Sequence, residues 1–170
     1  FHEISGKTWG IIGLGAIGRR VADLAKAFGC HVIYYSTSGK NTQPGYERTD
    51  LDTLLRESDI VSVHAPLTDE TRGLMNREAF EKMKSAAVFL NVGRGPIVVE
   101  KDLAEALKCG QIAAAGLDVL SAEPMREDNP LREIKDSNRL FITPHIAWAS
   151  VEARTGLIDI VLHQIREFFE

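Results

Sequence analysis

The feature that most restricts this chain is an apolar, strand-like run that ends in closely spaced glycines and passes directly into a helical pattern. Thr8 to Leu14 is the run, Gly13-Leu14-Gly15-Ala16-Ile17-Gly18 is the glycine cluster, and Ala16 to Phe28 repeats apolar residues at Ile17, Val21, Leu24, Ala25 and Phe28. Gly29 stops that helix, and the β-branched and aromatic stretch His31 to Tyr35 reads as a second strand. A strand, a tight turn, a helix and a second strand make one βαβ unit, which commits the chain to a parallel sheet with helices packed on it.

The alternation continues. Ser36 to Thr49 is polar, contains Gly39, Pro44 and Gly45, and reads as a loop; Asp50 is placed to cap a helix over Leu51 to Arg56. Ile60 to His64 reads as the third strand, Asn76 to Lys84 as a short helix, and Ala87 to Val92 as the fourth strand. Lys101 to Cys109 follows as a helix stopped by Gly110, then Ile112 to Leu120 and Leu140 to Thr143 as the fifth and sixth strands. The segment between those strands, Ser121 to Asn138, is polar with Pro124 and Pro130, and reads as a surface excursion able to carry function. Val151 to Phe169 reads as an amphipathic helix with Leu157, Ile160, Val161 and Ile165 on one face. The expectation is an α/β, doubly wound parallel sheet of Rossmann type, three-layer αβα, with strand order 3-2-1-4-5-6.

With 170 residues, 44% apolar and 26% charged, residues 1–170 fit one domain with a real core. A net charge of -4 without a basic stripe excludes a nucleic-acid partner. No apolar run approaches a membrane span and no signal-like start is visible, so the expectation is no membrane and a cytoplasmic location. The two cysteines, Cys30 and Cys109, show no metal-ligand spacing and read as packing residues in a reducing compartment.

Because it follows a strand and opens a helix, Gly13-x-Gly15-x-x-Gly18 reads as a dinucleotide-phosphate fingerprint. Gly13 serves the tight turn, Gly15 lets a pyrophosphate approach the backbone, Gly18 allows close helix packing, and the N–H groups near Ala16 and Ile17 present the positive end of the helix dipole. The fingerprint expects an acidic residue at the end of the second strand to hold a ribose 2′-hydroxyl. Here that position is Ser36, followed by Thr37, Ser38, Gly39 and Lys40, so the hydroxyls and the cation accept a 2′-phosphate and the cofactor is NAD or NADP, with a slight lean to NADP.

Two further motifs follow in order: Asn91-Val92-Gly93-Arg94-Gly95, and Thr143-Pro144-His145-Ile146-Ala147-Trp148. With Gly6-Lys7-Thr8-Trp9-Gly10-Ile11-Ile12-Gly13 they give the chain, over nearly its whole length, a resemblance to the D-isomer-specific 2-hydroxyacid dehydrogenases. The resemblance implies hydride transfer between a nicotinamide cofactor and a D-2-hydroxy or 2-keto acid. It makes Arg94 the substrate anchor, consistent with a planar fork that suits a carboxylate. His145 becomes the acid/base, a task an imidazole suits near neutral pH. Glu123, in Ala122-Glu123-Pro124, becomes the carboxylate that orients it and favours its charged form.

By the same resemblance, Val92 and Gly93 lie on the cofactor side, and His64-Ala65-Pro66-Leu67-Thr68 is the loop beside the adenosine half, with His64 and Pro66 at the cofactor and His64 structural rather than catalytic. Asp118 is either the aspartate near the nicotinamide carboxamide or a strand-end carboxylate capping a turn. Ile146-Ala147-Trp148-Ala149-Ser150 is closest to glycerate dehydrogenases and hydroxypyruvate reductases, with Trp148 narrowing the pocket or serving as a dimer or core aromatic. Members of the family close a second, discontinuous domain over the substrate and dimerise through the cofactor domain, so the chain is expected to be a cofactor domain without its substrate domain, and a homodimer. A dinucleotide-sensing corepressor-like scaffold is the alternative; Glu123 in place of glutamine speaks against formate dehydrogenase, and a domain for S-adenosylmethionine would leave Arg94 and His145 without a task.

Overall fold

The computed structural model describes residues 2–40 and 42–169; Phe1, Asn41 and Glu170 lie outside the described residues. In chain order the elements are β1 (Thr8–Ile12), α1 (Ala16–Ala27), β2 (His31–Tyr35), β3 (Glu47–Arg48), α2 (Leu51–Glu57), β4 (Ile60–Val63) and α3 (Arg77–Lys82). They continue with β5 (Val88–Asn91), α4 (Glu100–Cys109), β6 (Ala114–Leu117), β7 (Leu140–Ile142) and α5 (Val151–Phe169). All pairings are parallel, in the order β3-β2-β1-β4-β5-β6-β7, which is the doubly wound Rossmann arrangement.

One expectation needs correction. The third position is held by β3, two residues inside the stretch that reads as a loop, and Ile60–Val63 is the fourth strand, paired with β1. The sequence conceals β3 because Glu47 and Arg48 carry no apolar alternation. Its pairing comes from backbone bonds to Ile33 and Tyr34, extended by Thr49 N–H donating to the Tyr34 carbonyl at 2.9 Å.

Apolar residues divide between the two faces of the sheet. On one, α2, α3 and α4 bury Leu54, Leu55, Phe80, Leu103 and Leu107 against Val61 and Phe89. On the other, Ala22 and Ala25 of α1 pack on Ile11, Val32 and Tyr34. Asp50 caps α2 as its position predicts, accepting from Thr53 N–H at 2.9 Å, and Gly110 ends α4 at φ 76, a left-handed conformation natural to glycine.

The last helix is present as expected, but its packing is not. None of its described residues is buried, and Leu157, Ile160, Val161 and Ile165 are 53, 58, 44 and 48% exposed. Periodicity reports which face is apolar without supplying the surface that covers it. Cys30 is a packing residue, whereas Cys109 ends α4 on the surface.

What positions the site is the register. Tyr35, Ile12, Val63, Asn91, Leu117 and Ile142 are successive partners across the sheet, so six strands end in one row. The next residues are Ser36, Gly13, His64, Val92, Asp118 and Thr143. Candidate positions scattered over more than a hundred residues of sequence thereby share the carboxyl edge of one sheet.

Candidate active site

At the crevice between β1 and β4 the strand order reverses, and the glycine loop fills it. Gly13 has φ +93, and a Cβ there would lie 2.8 Å from the Ala65 Cα and N atoms. A Cβ on Gly18 would lie 2.3 Å from the Gly13 carbonyl oxygen, so α1 can start this close to the turn only as glycine. By contrast nothing stands within 4 Å of a Cβ on Gly15, and no side chain caps α1 there. The open space lies beside uncapped N–H groups at a helix start, an arrangement that fits a dinucleotide pyrophosphate. Ala16 and Ile17 form the exposed first turn.

Beyond β2, Ser36 is buried at 4% exposure, Thr37 is half-buried, and Ser38 and Lys40 are on the surface. Sequence reading finds no arginine here, but the fold supplies one. Arg48 of β3 donates to the Gly39 carbonyl at 2.9 Å, which puts a guanidinium against this loop. Its signal was hidden with β3 itself.

Between the glycine loop and β5 lies a cleft of about 460 Å³ lined by Ile17, His64, Pro66, Val92, Gly93 and Arg94. Asn91, fully buried, shapes the turn that presents Arg94: its Oδ1 accepts from Gly93 N–H at 3.0 Å and its Nδ2 donates to the Arg94 carbonyl at 3.1 Å. The exposed Arg94 guanidinium is steadied by one bond, to the Gly93 carbonyl at 2.8 Å. His64 belongs to a chain in which Trp9 Nε1–H donates to Ser62 Oγ at 2.8 Å and His64 Nε2 lies 3.0 Å from that same oxygen. Burial pushes the His64 imidazole down to about 4, and its Nδ1 has no hydrogen-bond partner among the described residues.

A second cavity, of about 480 Å³, opens beyond β6 and β7 and is lined by Asp118, Leu120, Glu123, Pro124 and His145 among others. His145 Nδ1 lies 2.7 Å from Glu123 Oε2, and Glu123 Oε1 accepts from Leu120 N–H at 2.9 Å. The hydrogen bond from His145, then that from Leu120, holds the Glu123 carboxyl below its ordinary value. Ionised Glu123 therefore accepts the Nδ1 proton, and Nε2 is the ring nitrogen left for chemistry.

Asp118 builds the turn that carries His145. Its Oδ1 accepts from Thr143 Oγ1 and from Ile146 N–H at 2.9 Å, and its Oδ2 from Ala147 N–H at 2.9 Å. Burial raises its carboxyl, but the bonds from Thr143, Ala147 and Ile146 outweigh burial and hold it below its usual value. Of the two readings of Asp118, the turn-capping one describes its observed contacts. Trp148 Nε1–H donates to the His145 carbonyl at 2.9 Å, so the indole, 53% exposed, is fixed beside the histidine.

Histidine and glutamate thus meet directly, while Arg94 lines a separate cleft. They are linked through backbone: a Cβ on Gly95 would lie 1.9 Å from the Leu120 carbonyl carbon, so the Arg94 turn rests on the segment leading to Glu123. β5 and β7 are separated by one strand, which puts their ends roughly 10 Å apart.

Residues 1–147 match the profile of the D-isomer specific 2-hydroxyacid dehydrogenase, NAD binding domain. The chain is 44% identical to a hydroxypyruvate reductase of Blautia hydrogenotrophica, covering 99% of this chain and 52% of that protein. It is 47% identical to a glyoxylate reductase of Aeropyrum pernix, covering 98% and 50%. Its structure superposes on the Aquifex aeolicus D-lactate dehydrogenase complexed with NAD and lactic acid with a TM-score of 0.91 at 30% identity, covering 99% of this chain and 55% of that one. The chain spans about half the length of these relatives. Its parallel sheet, its glycine crevice and its profile match together place it in the D-isomer specific 2-hydroxyacid dehydrogenase family, as an NAD-binding domain.

Proposed function

We propose that the full-length protein carrying this chain reduces a small 2-keto acid, hydroxypyruvate foremost, to the corresponding D-2-hydroxy acid. The observation that carries this reading is the His145–Glu123 pair, 2.7 Å apart, on the sheet edge that also bears the glycine crevice and Arg94. Arg94 takes the substrate carboxylate in its planar fork and draws electron density from the adjoining carbonyl. His145, its Nδ1–H donating to Glu123, delivers a proton from Nε2 to the carbonyl oxygen. A bound nicotinamide supplies the hydride for the carbonyl carbon. In the reverse direction His145 Nε2 takes the hydroxyl proton back, and Glu123 stabilises the imidazolium.

Gly13, Gly15 and Gly18, with the Ala16 and Ile17 N–H groups, would hold the pyrophosphate, and Ser36, Thr37, Ser38 and Lys40 the adenosine ribose. Pro66, His64, Val92 and Gly93 would line the remaining path, with Asp118 acting through the His145 turn. The absence of an acid after β2, together with Lys40 and Arg48, supports acceptance of NADPH as well as NADH. The indole of Trp148, pinned to the His145 backbone, and the kinship with a hydroxypyruvate reductase support the choice of substrate.

The test is a titration of the full-length enzyme with NADH and NADPH, followed by a screen of 2-keto acids. We expect both cofactors to bind and kcat/KM for hydroxypyruvate to exceed that for glyoxylate and pyruvate. A preference for pyruvate overturns the substrate assignment, and failure to oxidise either cofactor with any 2-keto acid overturns the function.

A substrate domain closing over this one, a cytoplasmic location and assembly as a homodimer complete the reading. Uncovered Leu24 on α1 and Phe28 just after it, with the apolar residues of α5, support an assembled state, which sedimentation of the full-length protein tests.

A further inference from the structure

One carboxylate outside the reacting groups is fully committed to the segment that carries Glu123. Glu100, the first residue of α4, accepts from the Ser121 N–H at 2.6 Å through Oε1. Its Oε2 accepts from Ser121 Oγ at 2.6 Å and from Asn129 Nδ2 at 2.8 Å. Asn129, 8% exposed, uses its own Oδ1 to accept from Leu131 N–H at 2.9 Å, so its side chain is held at both ends. No cation among the described residues forms an ion pair with Glu100. All of its recorded acceptor contacts go to Ser121 and Asn129, the two ends of the first part of the excursion, residues 121–129.

Glu123 lies inside that excursion, two residues after Ser121, and its Oε1 is held by the N–H of Leu120, immediately before Ser121. Ser121 is therefore the point where the clamp meets the turn that aims Glu123 at His145. The opposite side of this point is closed by Gly95, where a Cβ would lie 2.4 Å from Ser121 N. Gly95 and Glu100 belong to one strip of chain, running from Arg94 into α4, against which the Leu120–Ser121 backbone is seated. The carboxylate belongs to the first residue of α4.

We propose that Glu100 is a positioning residue: it clamps both ends of the 121–129 segment and thereby holds Glu123 in register with His145. This rests on the reading of His145 and Glu123 as the proton-transfer pair. Glu100 lines neither the cavity of His145 and Glu123 nor the cleft of Arg94, so its loss acts on turnover through Glu123 and leaves the glycine crevice in place.

The experiment is a double-mutant cycle in the full-length enzyme, with NADH and hydroxypyruvate. Glu100→Ala is expected to lower kcat about tenfold, the scale of effect that a small misplacement of a catalytic group produces, while the NADH dissociation constant and the substrate KM stay within about twofold. In a Glu123→Gln background the same substitution should cost about twofold or less, because the group it positions is already disabled. Ser121→Ala, which removes only the Oγ bond, should give a smaller loss of kcat with the same dependence on Glu123, and it serves where Glu100→Ala fails to fold. Normal kcat in Glu100→Ala or, where that variant fails to fold, in Ser121→Ala overturns the proposal, as does a loss that persists undiminished in the Glu123→Gln background. Normal kcat in Glu123→Gln itself overturns the proton-transfer reading, and the positioning role falls with it.

Discussion

His145 has φ 54, the only left-handed backbone among the described residues other than glycine. Few side chains tolerate that region, and histidine is among those that do so most readily. Here Asp118, at the end of β6, fixes the turn while Glu123, farther along the same segment, fixes the ring, so backbone and side chain are set by different carboxylates. Residues that act in different ways should fail in different ways. His145→Ala in the full-length enzyme removes the proton donor and should lower kcat by about a hundredfold or more, with the cofactor dissociation constant unchanged. Arg94→Lys keeps the charge but loses the fork, so its main effect should be a rise of about tenfold in KM for the 2-keto acid. Steady-state kinetics beside a cofactor titration checks both, and normal kcat in His145→Ala would remove that residue from proton transfer.

Most of the sheet was legible in the sequence because its strands are apolar runs bounded by glycine, proline or a cap, and Gly13, Arg94 and His145 each follow one of them. β3 was not legible, since two charged residues become a strand only when a neighbour offers free backbone groups. Arg48 was lost with it. Glu123 could be placed through its motif, but Glu100 left no signal beyond an acid in a first helical turn, because its donors lie 21 and 29 residues away. The end of β4 adds a pH dependence. Burial lowers the His64 imidazole from 6.5 to about 4, so the folded chain resists a proton that the unfolded chain accepts. Above about pH 6.5 both states are neutral there; as pH falls from 6.5 towards 4 the unfolded state gains the proton first, and stability declines. The full loss is on the order of 3 kcal/mol, reached near the folded-state value. Thermal unfolding between pH 7 and 5 should show a falling midpoint in the wild type and a flatter curve in His64→Asn; parallel curves would assign the loss to other groups.

At the scale of the molecule, the question is what a cofactor domain can do alone. The glycine crevice proposed for the pyrophosphate is made by β1, α1 and the Ala65 backbone, all internal to the chain, so it is preorganised without help. The chemistry is less sheltered: the His145 and Glu123 side chains are 40 and 38% exposed, and Arg94 stands on the surface of another cleft. Charge interactions in such open water-filled sites are several times weaker than in a closed one, and water competes for every bond Arg94 offers a carboxylate. The relatives are about twice as long as this chain, and the substrate domain proposed above would exclude that water on closing. Binding and turnover should therefore separate. The isolated chain should bind NADH within about fivefold of the full-length enzyme, because its crevice is complete. Its kcat/KM for hydroxypyruvate should be lower by about a hundredfold or more, the scale on which losing one preorganised electrostatic contact is felt, because without closure every such contact in the site is weakened by water. NADH fluorescence titration and steady-state assay of both forms read the two quantities. Turnover by the isolated chain within tenfold of the full-length enzyme would show that the open row of strand ends suffices, and that the second domain serves something other than closure.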